Sequence, residues 1–161
     1  MLPFNEKGRF GRYVLLAGVI ASASFAVTAA QAGECPADQK KPGVRQPVDL
    51  KPVGVTDTVI AMIDVDKEQG IKDRTLRMRK LVVEPGGIVP WHSHGERPAI
   101  IYIIEGEINE YASNCAVLIP HKAGDVVAET KDISHWWKNL DDKTVVLLSS
   151  DLLKDPADHT M

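Results

Sequence analysis

Three histidines carry most of the chemical information in this sequence. His92 and His94 flank Ser93, and His135 lies downstream. Residues at i and i+2 of a β-strand point from the same face, so His92 and His94 would present two imidazoles side by side. His135 from a neighbouring strand would complete the ligand set of a mononuclear metal site. Neutral imidazoles suit Zn, Cu, Fe or Ni, and three protein ligands leave positions open for water or substrate. The competing account is three hydrogen-bonded interior histidines without a metal. For one histidine that account would win, but three from two separate segments favour a metal. No second acid–base residue stands out; Glu96 and Glu129 are the nearest candidates.

The elements that must position these side chains are short strands. Thr58–Val65 is a strand candidate, followed by an acidic turn at Asp66–Gly70. Leu76, Met78, Lys80 and Val82 alternate with Arg77, Arg79, Leu81 and Val83, the period-2 signal of a strand, which Pro85-Gly86-Gly87 is expected to end. Ala99–Ile104 suits a central strand. Ile108–Tyr111, Ala116–Ile119, Val126–Ala128, Ile133–Trp137 and Thr144–Ser149 complete the set, with turns at Ser113-Asn114, Ala123-Gly124-Asp125 and Asp141-Asp142. Sustained 3.6-residue periodicity is absent after residue 32, so an all-β sandwich or barrel is expected.

The residues then point to a family. The chain resembles the cupins, small double-stranded β-helix or jelly-roll barrels. Their first motif runs from a glycine through H-x-H and a glutamate to a second glycine. Here Gly86 precedes His92-Ser93-His94 at the family interval, and Gly106 closes the motif. In the second motif Gly124, His135 and Asn139 keep every interval, with Thr130-Lys131-Asp132 in place of the usual P-x-G turn. The resemblance covers roughly residues 57–151. It departs at one chemically important point: Ala99 stands where family members usually carry a metal-binding glutamate.

Three readings of the site follow. Three histidines suffice, Glu96 bends back as a fourth ligand, or the pocket has lost its metal. The resemblance implies one divalent ion (Fe, Zn, Ni, Cu or Mn). Strand parity turns Trp137, Ala99, Ile101 and Ile103 toward the barrel interior as a pocket wall, with Trp136 and Tyr102 facing away. Arg97 is either an anion-binding group at the pocket mouth or a solvated loop arginine. His121 and His159 are expected in solvent.

Bulk properties set the context. The chain has 161 residues. Lys7, Arg9 and Arg12 precede an apolar run ending at Ala30-Gln31-Ala32, the pattern of a signal peptide over residues 1–32. An uncleaved anchor or a lipid on Cys35 are the alternatives. After cleavage, 16 basic and 21 acidic groups remain, a net charge of −5. No basic cluster tracks phosphates, which argues against nucleic acid as a partner. Residues 33–56 read as a proline-rich arm, 57–151 as the barrel and 152–161 as a tail. The two cysteines, Cys35 and Cys115, form a disulfide in an exported protein; two free thiols are the alternative. Together these features predict an exported, periplasmic or extracellular, metal-binding cupin. Its expected partner is a small organic molecule, with no stable membrane association after cleavage, and by resemblance a homodimer is plausible. It would be dioxygenase-like or another metal-dependent enzyme such as a lyase or isomerase; the alternative is a non-catalytic binding module.

Overall fold

Antiparallel pairing and alternating burial organise this chain. The computed structural model describes residues 33–48 and 51–154; the signal-peptide reading and His159 lie outside the described residues. The elements are β1 (Val53–Asp64), α1 (Val65–Gln69), β2 (Thr75–Ser93), β3 (Ala99–Glu105), β4 (Glu107–Ala112), β5 (Ile119–Lys122), β6 (Val126–Glu129), β7 (Ser134–Lys138) and β8 (Val145–Leu153). They form one curled sheet in the order β5-β4-β7-β2-β8-β3-β6, with β1 added to β2. This is the all-β double-stranded β-helix expected from the sequence.

Several boundaries differ from the sequence reading. Pro85-Gly86-Gly87 bends β2 without ending it. The first half of β2 pairs with β1 and β8, and the second half with β7. Gly86 takes φ 75°, and a Cβ on Gly87 would stand 2.7 Å from the Glu84 carbonyl, so the bend needs glycine. Asn139 pins it: its amide donates to the carbonyls of Val83, Glu84 and Lys143 at 2.8–3.1 Å. That bonding accounts for the asparagine of the second motif. The acidic turn after β1 forms one helical turn, α1, because Asp64 caps the Lys67 N–H and Gly70 closes it at φ 68°. Residues 116–118 are not strand; pairing begins at Ile119. β1 begins inside the stretch read as arm, and β8 runs two residues past the expected barrel boundary.

Leu81, Val83, Val89, Ile101, Ile103, Ile108, Val127, Trp137, Val145 and Leu147 form the buried core. Each fully buried aliphatic side chain contributes about 1.5–3 kcal/mol. A smaller cluster joins Ala112, Cys115 and Ile119 to Cys35 of the arm, through a Cys35–Cys115 disulfide. Backbone bonds from Lys41 to Asn114 and from Ala116 to Gln39, each 3.0 Å, lay the arm along this edge.

Candidate metal centre

A β-bulge aims two of the histidines. Val89 pairs with Trp137 and His92 with His135, so β2 spends three residues where β7 spends two. Before the bulge the odd-numbered side chains of β2 face inward; after it the even-numbered ones do. Such bulges re-aim side chains near functional sites. His92 and His94 thereby face inward beside His135 on the neighbouring strand β7.

The three Nε2 atoms converge. His92 to His94 is 3.1 Å, His94 to His135 is 3.0 Å, and His135 to His92 is 3.0 Å. Each ring is held from behind. The Nδ1 atoms of His92, His94 and His135 lie 2.9, 2.8 and 2.8 Å from the Pro90 carbonyl, the Arg97 carbonyl and Glu110 Oε1. These acceptors place the proton on Nδ1 in every ring. Three Nε2 atoms then face one another, an arrangement that favours positive charge among them. Burial holds His92 down to about 2 and His94 to about 4, helped by the His135 ring nearby, so neither supplies that charge as a proton at neutral pH. The donor set therefore fits a metal ion. Nitrogens 3.0–3.1 Å apart could all reach one ion at a bond length of about 2.1 Å.

Carboxylates stand behind the histidines. Glu110 accepts from His135 and, through Oε2, from His121 Nε2 at 2.9 Å. Burial alone would raise its pKa, but these two hydrogen bonds hold it at about 2. A carboxylate on the far nitrogen of a ligand histidine fixes its tautomer and strengthens it as a donor. Glu129 is the Cα partner of Ala99 across the β3–β6 ladder. The acid missing at Ala99 thus reappears one strand away. Its Oε1 lies 3.4 Å from His135 Nδ1, on the side away from the converging Nε2 atoms, and neither oxygen has a hydrogen-bond partner. Burial and then the neighbouring Glu110 push it up to about 9, so it keeps its proton at neutral pH.

The other residues singled out from sequence fall as follows. Glu96 is in solvent, 3.4 Å from Lys154, and does not join the histidines; its loop is held by Arg74 donating to the Glu96 carbonyl. Arg97 is buried and not solvated, because its Nε lies 3.8 Å from Asp151 inside the sheet. His121 is also buried, contrary to expectation. It shares inward parity with Ile119 on β5 and stacks on Trp137 at 4.6 Å. Trp137 and Ile101 line a small cavity of about 20 Å³ beside His92 and His94, together with Arg79 and Ser149. Ala99 and Ile103 are buried but do not line it. Trp136 stacks outside on Tyr111 at 3.9 Å.

Sequence reasoning missed the charge beside that cavity. Arg77 and Arg79 occupy inward positions of β2, while Leu76 and Met78 face out. Asp151 pays back part of this burial: Arg77 grips it at 3.0 and 2.7 Å, and Arg79 approaches at 3.3 Å while also holding Asp57 at 2.6 Å. With Arg97, three guanidinium groups face two carboxylates. The buried Arg79 Nε has no hydrogen-bond partner.

Comparison with known proteins agrees with this architecture. Residues 79–151 match the family described as Cupin domain. No curated protein matches the chain. Among solved structures, a predicted oxalate decarboxylase from Thermotoga maritima aligns at TM-score 0.50 and 19% identity, over 74% of this chain and 98% of that one. A cupin-2 domain from Rhodospirillum rubrum aligns at TM-score 0.50 and 16% identity, over 66% and 65%. The Cnp3 cupin domain of Schizosaccharomyces pombe aligns at TM-score 0.50 and 11% identity, over 65% of each chain. This chain therefore spans just under two thirds of the last two, and the likeness is one of fold. The matched segment lies within the curled antiparallel sheet, the fold that these solved structures share.

Proposed function

We propose that this chain is an exported, metal-dependent enzyme that acts on a small anionic organic molecule. The observation that carries the reading is the convergence of three Nε2 atoms at 3.0–3.1 Å. His92, His94 and His135 would hold one divalent ion among Fe, Zn, Ni, Cu and Mn. When bound, the ion supplies Lewis acidity or a place for O₂ and substrate together. The chain's own residues do the rest. Arg79 lines the cavity, and its positive charge would favour a carboxylate, enolate or phenolate there. Trp137, Ile101 and Leu147 keep water from it. Glu129 holds a proton behind His135. Dioxygenation is the first reaction class to test, with lyase or isomerase chemistry beside it.

The test is metal content followed by turnover. Purified protein is expected to carry one equivalent of metal that His92→Ala and His135→Ala lose, and to consume oxygen or substrate with a panel of small carboxylates, β-diketones and phenols. Absence of metal after incubation with all five ions would overturn the reading. A second reading, a non-catalytic module that captures a metal or small metabolite, is favoured by the small size of the cavity, about 20 Å³. Stoichiometric metal without turnover across the panel would select it.

Two further features belong to this reading. The Cys35–Cys115 disulfide suits an oxidising compartment, and no described helix is long and apolar enough to cross a membrane. The exported chain would begin near Gly33, which N-terminal sequencing checks. Among the described residues β1 pairs with β2 alone and leaves its other edge open, with Ile60 and Met62 in solvent. Long apolar edges invite pairing, so a homodimer through this edge is expected; light scattering over a concentration series tests it.

A further inference from the structure

One nitrogen of a buried histidine stands empty against the arm. His121 is fully buried on β5. Its Nε2 donates to Glu110 Oε2 at 2.9 Å, and Glu110 Oε1 accepts from His135 Nδ1 at 2.8 Å. Its other nitrogen, Nδ1, has no hydrogen-bond partner. With the proton on Nε2, Nδ1 of the neutral ring is an acceptor. Buried acceptors normally find a donor.

Gly33 of the arm lies against that atom. A Cβ added to Gly33 would stand 2.8 Å from His121 Nδ1 and 3.9 Å from the Asp125 Cβ. A glycine allows its backbone to come this close to the ring. The Gly33 nitrogen is one bond, about 1.5 Å, from the same Cα, so it belongs to the same contact. Gly33 is half-buried, and the Cys35–Cys115 disulfide two residues on anchors this end of the arm.

In the precursor this nitrogen is an amide. It has a single N–H, aimed by the peptide plane shared with Ala32. Cleavage after Ala30-Gln31-Ala32 would convert it into an α-amino group, which titrates at about 7.7–8.0 and so is mostly ammonium at pH 7. Three N–H donors that rotate about the N–Cα bond then sit beside an empty acceptor, with the Asp125 side chain adding negative charge nearby.

We propose, resting on the exported reading, that the α-ammonium group left on Gly33 by processing donates to His121 Nδ1. His121 is thereby fixed as its Nε2–H tautomer. A continuous line of hydrogen bonds then runs from the first residue of the processed chain through His121 and Glu110 to the outer nitrogen of His135. Gly33 and His121 act as positioning groups behind the third histidine.

Releasing the chain from a cleavable fusion with Gly33 as its first residue makes the test independent of export. The readout is acylation of the Gly33 amine by an N-hydroxysuccinimide ester, followed by mass spectrometry of the N-terminal peptide. His121→Asn keeps a polar group near the Nδ1 position, and His121→Gln keeps one near Nε2. Acylation is expected to be at least about ten-fold slower in the wild type than in His121→Gln, with His121→Asn remaining slow. A chain that retains Ala32 ahead of Gly33 should show a lower urea midpoint without metal, a difference that His121→Gln erases. Equal acylation rates in the wild type and His121→Gln would overturn the proposal while leaving the exported reading intact. Should the variants not fold, equal urea midpoints with and without Ala32 would overturn it as well. A natural N-terminus other than Gly33 in the exported protein would fail the cleavage reading and the proposal together.

Discussion

Two polar clusters lie buried in one barrel, and they handle charge in opposite ways. Around Asp151, the guanidinium groups of Arg77, Arg79 and Arg97 meet carboxylates within the protein. Around the three histidines, every ring satisfies its outer nitrogen and leaves its inner one facing two others. The first cluster is nearly complete as protein; the second is complete only with a cation. The first therefore bears mainly on stability and the second on binding, even though β2 supplies residues to both.

The sharpest way to break this division is His92→Ala. It should abolish stoichiometric metal, read by elemental analysis, while changing urea stability of the metal-free chain by no more than about 1–2 kcal/mol, since it relieves the crowding of the three Nε2 atoms as it opens a cavity. Asp151→Ala should do the reverse. Leaving buried guanidinium groups without their carboxylate costs about 3–5 kcal/mol, seen as a lowered urea midpoint; a wild-type midpoint would show that the arginines do not need Asp151. Glu110→Gln tests the boundary between the clusters. It retains the shape but weakens the hold on His135, and metal affinity should fall about 10–100-fold in a chelator competition.

The smallest effect is a slope with pH in the metal-free chain. His92 and His94 sit at about 2 and about 4, below their ordinary 6.5. The unfolded chain binds more protons at these sites, so their contribution is present above 6.5 and is lost as pH falls toward 4. Glu129, raised from 4.5 to about 9, has the opposite sign: its contribution is present below 4.5 and is lost as pH rises toward 9. Two histidines outweigh one carboxyl in the overlap, so stability should peak near pH 6.5. The alkaline limb should fall by at most about 1.4 kcal/mol per pH unit, and Glu129→Gln should flatten it. A limb unchanged by that substitution would remove Glu129 as the proton holder.

The fold and the three histidines were legible because both rest on local spacing. H-x-H, the downstream His135 and the turn glycines are visible at short range. The arginine face was not. In Leu76–Val83 both alternating sets mix charged and apolar residues, and the choice of inward face is decided by Asp151, more than 70 residues away. Glu110 and His121 were missed or misplaced for a related reason. A buried carboxylate reads as a surface residue until its two histidine donors are known, and the register of β5 sets His121 inward. Glu129 was noted only as a nearby acid. Its place opposite Ala99 required the β3–β6 register.

The bulge between Val89 and His92 gives the metal centre a counting rule. Side chains in a strand change face with every residue, and the extra residue at Pro90-Trp91 is what turns His92 and His94 inward. Deleting one residue there would leave every ligand in the sequence and face both histidines outward. Chains with this pattern should therefore tolerate substitution at Pro90 or Trp91 far better than a change in length.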